Sequence, residues 1–156
     1  MSFVLEIYHA VQACGSVYVA MLSAMAIYNL RQWEPQTESA SRYSNAAARQ
    51  LHKTRTTEAS GVLATLFSLV SSVILVVAVS SGRNSMPFLL SAANAGALVL
   101  AYNHIANFWH GRPTVPLASS YNDGVRSTKQ MLQALGGLTI SWAASTVIYL
   151  FRAIVY

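Results

Sequence analysis

The chain has 156 residues, of which 54% are hydrophobic and only 10% are charged, and its mean hydropathy is +0.40. Soluble domains carry about 25% charged residues, so this composition excludes an ordinary soluble domain and indicates a protein surrounded by lipid. The net charge of +5 comes from basic residues between apolar stretches, with no nucleic-acid motif. It therefore predicts contact with anionic lipid headgroups and no nucleic-acid partner.

Four apolar segments are long enough to cross a bilayer, because a helix needs about 20 mostly apolar residues to span roughly 30 Å of hydrocarbon. In chain order they are residues 3–30, 59–81, 86–109 and 131–151. The second and fourth segments contain no charged residue. The sequence therefore predicts a single all-α domain over residues 1–156, an integral membrane four-helix bundle with several passes.

The ends of the predicted helices carry local signals. Proline disfavours the helical conformation of the residue before it, so Glu34-Pro35 predicts the end of the first helix. The alanine-rich run after Ser44 has high helix propensity, which predicts that the second helix begins there, before the membrane. The sequence Asn122-Asp123-Gly124 is typical of a turn and predicts one ahead of the fourth span.

Basic residues are distributed unequally between the two sides of the predicted bundle. Residues 31–58 hold five Lys and Arg and residues 110–130 hold three, whereas the opposite side holds only Arg83 and Arg152. Because cytoplasmic loops carry the excess of Lys and Arg, both long loops are predicted to be cytosolic. Both termini and the short 82–85 turn are then non-cytosolic. The endoplasmic reticulum or another endomembrane is the expected location, with a bacterial or mitochondrial inner membrane as alternatives.

Two ionisable residues interrupt the first span near its start. Glu6 and His9 are three positions apart and share one face of a helix. Ionisable groups inside a span are costly, so each is a functional candidate. One interpretation is an interfacial pair that anchors the helix, with Glu6 near Arg83 or Arg152, and the other is a proton-handling pair.

A larger polar cluster is predicted at the cytosolic mouth of the bundle, where the third span ends and the second begins. The predicted ligand-binding residues are Arg31, Arg49, Arg55, Asn103 and Asn107, and the predicted catalytic residues are His104, Glu58 and Arg112. A cationic ring of this kind suits an anionic ligand held by charge-assisted hydrogen bonds. The alternative is that these side chains reach toward lipid headgroups and only anchor the helices.

Histidines near the same mouth raise the question of a metal site. Two histidines and a carboxylate can bind zinc or iron, and His52, His104 and His110 are the candidate ligands, with Glu58. His104 and His110 are six positions apart and therefore point to different faces of a helix. The spacing does not match a recognised metal motif, so no metal is expected.

The start of the second span reads Lys53-Thr54-Arg55-Thr56-Thr57-Glu58, and with the four-span layout it resembles the membrane-associated glutathione transferase and eicosanoid-synthesis (MAPEG) family. In that family an Asn stands three residues before the Glu, so Glu58 matches and Arg55 replaces the Asn. The family's third helix carries Arg and Tyr near its cytosolic end, where this chain has Asn103, His104 and Asn107, with Arg112 beyond.

The MAPEG resemblance implies a trimer that binds glutathione between helices on the cytosolic side. Arg49, Arg55 and Arg112 would then bind glutathione, Glu58 would orient its amine, and His104 would be the acid or base. A further similarity, to anthrone-oxygenase-like four-span proteins, is carried by Asn103 and the 122–126 stretch.

Three functions from different classes follow as expectations. The first is a small membrane enzyme of transferase, isomerase or oxygenase type that acts on a lipophilic substrate, as a homo-oligomer. The alternative is an accessory subunit that contacts other membrane subunits and has no catalysis of its own. A transporter is the third, although no span carries a charge at its middle.

Overall fold

A computed structural model describes residues 2–78 and 85–155 of the chain. These two ranges form four helices and no strand: α1 Ser2–Ser41, α2 Asn45–Ala78, α3 Ser85–Trp109 and α4 Ser119–Val155. All four are long and apolar enough to cross a membrane, which confirms the predicted all-α, four-helix membrane bundle. Arg83, most of the predicted 82–85 turn and the last three residues of the second predicted span lie outside the described residues.

The helices pack as an antiparallel bundle in which each contacts the next and α4 contacts α1. One end carries the start of α1 and the end of α4, and we refer to it as the terminal end. The other end carries the connections from α1 to α2 and from α3 to α4, and we refer to it as the loop end. Residues on different helices can therefore be compared by their distance from these two ends.

Helix α1 continues to Ser41 with Pro35 inside it, so the prediction that Glu34-Pro35 ends the first helix is wrong. A proline removes one backbone N–H donor from the helix, and here the side chain is exposed, so the carbonyl that loses its partner can face solvent. A helix of 40 residues is about 60 Å long. This is roughly twice the hydrocarbon thickness, so α1 extends beyond the bilayer.

Helix α2 begins where the sequence predicts. The backbone N–H of Ala47 donates to Oγ of Ser44 at 3.4 Å, and that of Ala48 donates to the Ser44 carbonyl oxygen at 3.0 Å. Ser44 therefore caps the N-terminus of the helix and satisfies donors that have no intrahelical partner. The first turns of α2 pair with the last turns of α1 as a hairpin that extends past the spans at the loop end.

Helix α4 begins at Ser119, so the predicted turn at Asn122-Asp123-Gly124 is wrong. The Asn122 side chain instead accepts from the Val115 N–H at 2.8 Å and donates to the Val115 carbonyl oxygen at 2.9 Å. Gly124 faces α1, where an added Cβ would lie 2.6 Å from Cδ2 of Leu30. Both residues therefore serve packing at the loop end, one by fixing the preceding loop and the other by close helix approach.

Replacing Gly124 with Ala should destabilise the bundle by about 1–3 kcal/mol, the usual cost of overpacking a filled site. Gly137→Ala is the matched control, because this glycine lies in the same helix with nothing within 4 Å of its Cβ position. Both changes raise helix propensity equally. Thermal unfolding in detergent should show a lower midpoint for Gly124→Ala than for Gly137→Ala, and equal midpoints would contradict the close contact.

The interior of the bundle has two chemically different halves. Toward the loop end the buried polar side chains are hydroxyl groups, Thr57, Ser127 and Thr128, among apolar residues such as Leu30, Ile105, Val125, Met131 and Leu135. Toward the terminal end the buried polar side chains also include imidazole and amide groups, in the set His9, Gln12, Ser16, Ser68, Ser71, Ser72, Ser91, Asn94 and Ser145. Trp142 is fully buried at the boundary, where its Nε1–H donates to Oγ of Ser68 at 2.7 Å.

Candidate functional site

A cavity of about 500 Å³ opens at the loop end between the α1–α2 hairpin and the end of α3. Its volume lies within the range of small-molecule sites. Aromatic side chains from three helices line it, together with four charged side chains. The aromatic residues are Trp33, Phe108, Trp109 and Tyr121, and the charged residues are Glu34, Arg55, Glu58 and Arg112.

The aromatic wall is held in place by ring contacts and one hydrogen bond. The ring centroids of Trp33 and Tyr121 lie 5.8 Å apart, and those of Phe108 and Trp109 lie 5.1 Å apart at 80°. The Trp109 side chain is buried, and its Nε1–H donates to Oγ1 of Thr57 at 3.2 Å. The cavity therefore offers rigid apolar surface to a lipophilic molecule.

An ion pair joins the two helices of the hairpin at the cavity edge. Both Nε and Nη2 of Arg55 contact Oε1 of Glu34. Within residues 2–78 and 85–155 this is the one ion pair between side chains. The positive charge of Arg55 is therefore already compensated by a carboxylate of the same cavity.

Glu58 lies deeper, one residue before the predicted start of the second span. Burial raises the pKa of its carboxyl from the ordinary value to about 7, and the neighbouring Glu34 carboxylate adds to this. Arg31 and Arg55 partly oppose the rise. A carboxyl group that titrates near neutral pH can donate or accept a proton under physiological conditions.

Glu58 also connects the cavity with the bundle interior. Together with Trp109 it lines a second void of about 10 Å³, between Ser23 and Thr128 on the facing helices. This void is too small to hold a substrate. It places the carboxyl group at the boundary between the open cavity and the packed core.

Arg112 lies on the wall of the cavity opposite the hairpin. Its Cζ is 4.4 Å from the centroid of the Phe108 ring, and its Nε–H donates to the Phe108 carbonyl oxygen at 3.2 Å. Stacking on an aromatic face favours a guanidinium. In the described part of the chain no carboxylate pairs with Arg112, so its remaining N–H donors are available to a ligand.

The other residues predicted for the site lie outside this cavity. His104 is exposed and lines an apolar groove on the outer surface of α2 and α3. Asn103, Asn107 and Arg49 are exposed and do not line the cavity. Arg31 is exposed too, although its charge acts on Glu58. The structure therefore brings together Arg55, Glu58 and Arg112 from the predicted set.

The candidate metal ligands are also dispersed. His52 and His110 are exposed. In residues 2–78 and 85–155 there is no group of three His, Cys, Asp or Glu side chains placed to hold a metal ion.

Sequence reasoning missed Glu34 and all four aromatic residues of the cavity wall, among them Trp33 and Tyr121. Trp33 and Glu34 belong to the extension of α1, which the prediction ended at Pro35. Tyr121 lies in the first turn of α4, where the sequence predicts a loop and a turn. If the helix had been predicted to continue through Pro35, Trp33 and Glu34 would have been placed opposite Arg55. The predicted end of α1 therefore determined whether these two residues could be found.

At the terminal end, His9 is fully buried, so it is not part of an interfacial pair with the half-buried Glu6. Its Nδ1 lies 2.7 Å from Oε1 of Gln12, and its Nε2 lies 2.6 Å from the hydroxyl oxygen of Tyr149. The Gln12 oxygen can only accept, so Nδ1–H donates to it. Nε2 then accepts from the Tyr149 hydroxyl.

The same network continues across three helices. Nε2 of Gln12 donates to Oγ of Ser141 and Oγ of Ser145, each at 3.0 Å. Oγ of Ser16 donates to the Gln12 carbonyl oxygen at 2.9 Å and lies 2.8 Å from Oγ of Ser68. All the polar atoms of the Gln12 side chain are therefore paired, which makes this cluster a structural connection between helices.

Fold and site define a membrane-spanning four-helix bundle with a polar interior at its terminal end and an aromatic cavity at its loop end. No family model, curated protein or solved structure matches the chain. Its function is therefore argued from the geometry of the cavity.

Proposed function

We propose that this chain is a small membrane enzyme that acts on a lipophilic substrate in the loop-end cavity. The observation that carries the proposal is a carboxyl group with a pKa of about 7, Glu58, at the inner wall of an aromatic-lined cavity of about 500 Å³. Perturbed ionisable groups inside a cleft are typical of catalytic sites. Glu58 is the proposed acid or base of the reaction.

The charges of the cavity support a substrate with one anionic group. Arg55 is compensated by Glu34, which leaves Arg112 as the cation of the wall that has no carboxylate partner. A carboxylate or similar group of the substrate would pair with the free donors of Arg112, while its apolar part would lie against Trp33 and Phe108. A more highly charged cosubstrate such as glutathione would have to compete with Glu34 for Arg55.

Binding to the purified protein in lipid nanodiscs tests this proposal. Quenching of tryptophan fluorescence by a series of lipophilic monocarboxylates should be saturable, because Trp33 and Trp109 line the cavity. Arg112→Ala should weaken binding about 10-fold or more, the usual cost of losing a charged hydrogen bond. Arg126→Ala is the matched control, since Arg126 is an exposed cation at the same end and outside the cavity.

Two further results would decide between substrates and roles. Saturable glutathione binding that weakens on Arg55→Ala would support the MAPEG-like cosubstrate instead of a single anion. For a substrate found in this way, Glu58→Gln should retain binding and lose turnover. Equal binding by wild type and Arg112→Ala, or no saturable binding at all, would remove the proposal.

The alternative is an accessory subunit of a larger membrane complex. It is favoured by two side chains near the loop end that are almost fully exposed, Tyr43 at 92% and Leu117 at 107%. Leu117 also has a φ of 65°, a conformation that a branched residue rarely adopts. In that case Tyr43→Ser with Leu117→Ser should reduce the size of the native complex on gel filtration, whereas cavity variants should not.

The orientation of the bundle is part of the same proposal. The eight to two division of Lys and Arg supports a cytosolic loop end, and the proposed location is an endomembrane. Labelling of a Tyr43→Cys, Cys14→Ala variant with an impermeant thiol reagent on sealed membranes tests it. The thiol should react in sealed endomembrane vesicles without opening them, because the cytosolic face of such vesicles points outward.

A further inference from the structure

Helix α3 carries two buried polar atoms without a hydrogen-bond partner, Oγ of Ser91 and Oδ1 of Asn94. Both side chains are fully buried. Nδ2 of Asn94 donates to the Leu90 carbonyl oxygen at 2.8 Å. The atom of this amide that lacks a partner is therefore its acceptor, Oδ1. Unpaired polar atoms in a buried position cost free energy, and a bound water or ion is a common reason for their presence.

Contacts between α2 and α3 set the register of the two helices and so indicate which residues of α2 lie at the level of these atoms. Trp109 donates to Thr57, and further along Ile105 packs against Gly61, so the two helices run antiparallel in constant register. Along α3, Asn94 lies as many residues before Trp109 as Ser72 lies after Thr57 along α2. Asn94 and Ser72 are therefore at the same level of the bundle. Oγ of Ser72 donates to the Ser68 carbonyl oxygen at 2.8 Å and keeps its lone pairs as acceptors.

We propose that a water molecule binds inside the bundle between Asn94, Ser91 and Ser72. The water donates one hydrogen to Oδ1 of Asn94 and the other to Oγ of Ser72, and it accepts the hydroxyl hydrogen of Ser91. Three hydrogen bonds are typical of a buried water. With this water bound, Oδ1 of Asn94, Oγ of Ser91 and Oγ of Ser72 each form one hydrogen bond with it.

The ligand is neutral because the buried surroundings carry no charge. The buried polar residues of the described chain include no Asp, Glu, Lys or Arg, so nothing compensates the charge of a cation. The water ties α3 to α2 in the half of the bundle where α1 and α4 are tied by Gln12. It is independent of the loop-end cavity and of any reaction there.

Radical labelling of the protein in nanodiscs tests this directly. X-ray pulses in ¹⁸O-water generate hydroxyl radicals from bound water, and mass spectrometry finds the side chains that they modify. Leu98 lies one turn from Asn94, and Leu75 lies at the level of Ser91. Both are 0% exposed, as is Leu135, which lies nearer the loop end and serves as the matched control. Leu98 or Leu75 should be labelled and Leu135 should not.

Two variants complete the test. Asn94→Leu removes the acceptor and keeps the branching and the number of heavy atoms of the side chain, so labelling should fall several-fold and the unfolding midpoint should fall. Ser91→Ala should act in the same direction, and it provides the answer if Asn94→Leu does not fold. Absence of label at both leucines in the wild type, unchanged label in Ser91→Ala, or a raised midpoint in Asn94→Leu would each show a dry site and overturn the proposal. A midpoint that rises with sodium concentration in the wild type would overturn it in favour of a cation.

Discussion

Replacing Gln12 with Leu should lower the free energy of unfolding by roughly 2–4 kcal/mol. The Gln12 side chain bonds to His9 within α1 and to Ser141 and Ser145 on α4, so one substitution removes three buried hydrogen bonds. Single interhelical hydrogen bonds in membranes contribute on average about 0.6 and at most about 1.7 kcal/mol. The sum is larger here because the substitution leaves Nδ1–H of a fully buried histidine without an acceptor.

The measurement is unfolding in mixed micelles, with Gln133→Leu as the matched control. Gln133 is exposed on α4, so the same chemical change there removes no buried hydrogen bond and should leave stability within about 0.5 kcal/mol. A double-mutant cycle between Gln12→Leu and Ser145→Ala isolates their bond. Additive effects of the two changes would contradict the coupling that the 3.0 Å contact requires.

The four helices could be predicted from the sequence because crossing a bilayer imposes a length and a composition that few other structures share. The ends of the helices could not. At Pro35 a general rule about helix ends was overridden, since a lone proline on an exposed face costs one hydrogen bond and the following turns still form. At Gly124 the sequence was typical of a turn, whereas the glycine is required for the approach of Leu30.

The candidate site was predicted in part for the same reason. Glu58, Arg55 and Arg112 could be placed at one end of the bundle from topology alone. The direction of each side chain depends on rotation about its helix axis. The apolar residues of a membrane helix do not record this rotation, because some face lipid and others face apolar side chains of the bundle. His104 was therefore predicted to face the mouth, and it lies on the outer surface. One partner of His9, Tyr149, is 140 residues away on α4, beyond the reach of local pattern.

The basic residues of the cavity do not make it strongly cationic, because carboxyl groups lie beside them. The sequence counts many cations at this end, but the fold sets Glu34 against Arg55 and leaves Glu58 half-buried beside them. A wall with two carboxyl groups and two guanidinium groups does not repel cations or attract anions strongly at a distance. Selectivity for a ligand would then depend on contact with Arg112 and on the protonation state of Glu58.

Stability should fall as the pH rises from about 5 to 8, and Glu58 should account for a defined part of that change. Its pKa is raised to about 7 in the folded protein by burial and by Glu34, whereas an unfolded chain has the ordinary value near 4.3. The folded state therefore binds the proton more tightly. The resulting stabilisation is complete below the unfolded pKa and is lost as the pH rises through the folded pKa.

The expected loss is about 1–2 kcal/mol, which is less than the full shift would give because solvent reaches part of the side chain. Glu58→Gln keeps the shape of the protonated group and removes its titration, so the variant should be more stable than the wild type at pH 8 and similar to it at pH 5. All other residues are the same in both proteins, so the difference between their unfolding midpoints isolates Glu58. Glu34→Gln should move the wild-type transition to lower pH, because it removes a carboxylate that raises the pKa of Glu58 and releases Arg55 to lower it. Parallel pH profiles for wild type and Glu58→Gln would show that Glu58 is ionised throughout, and the cavity would then lack the neutral acid on which its proposed chemistry depends.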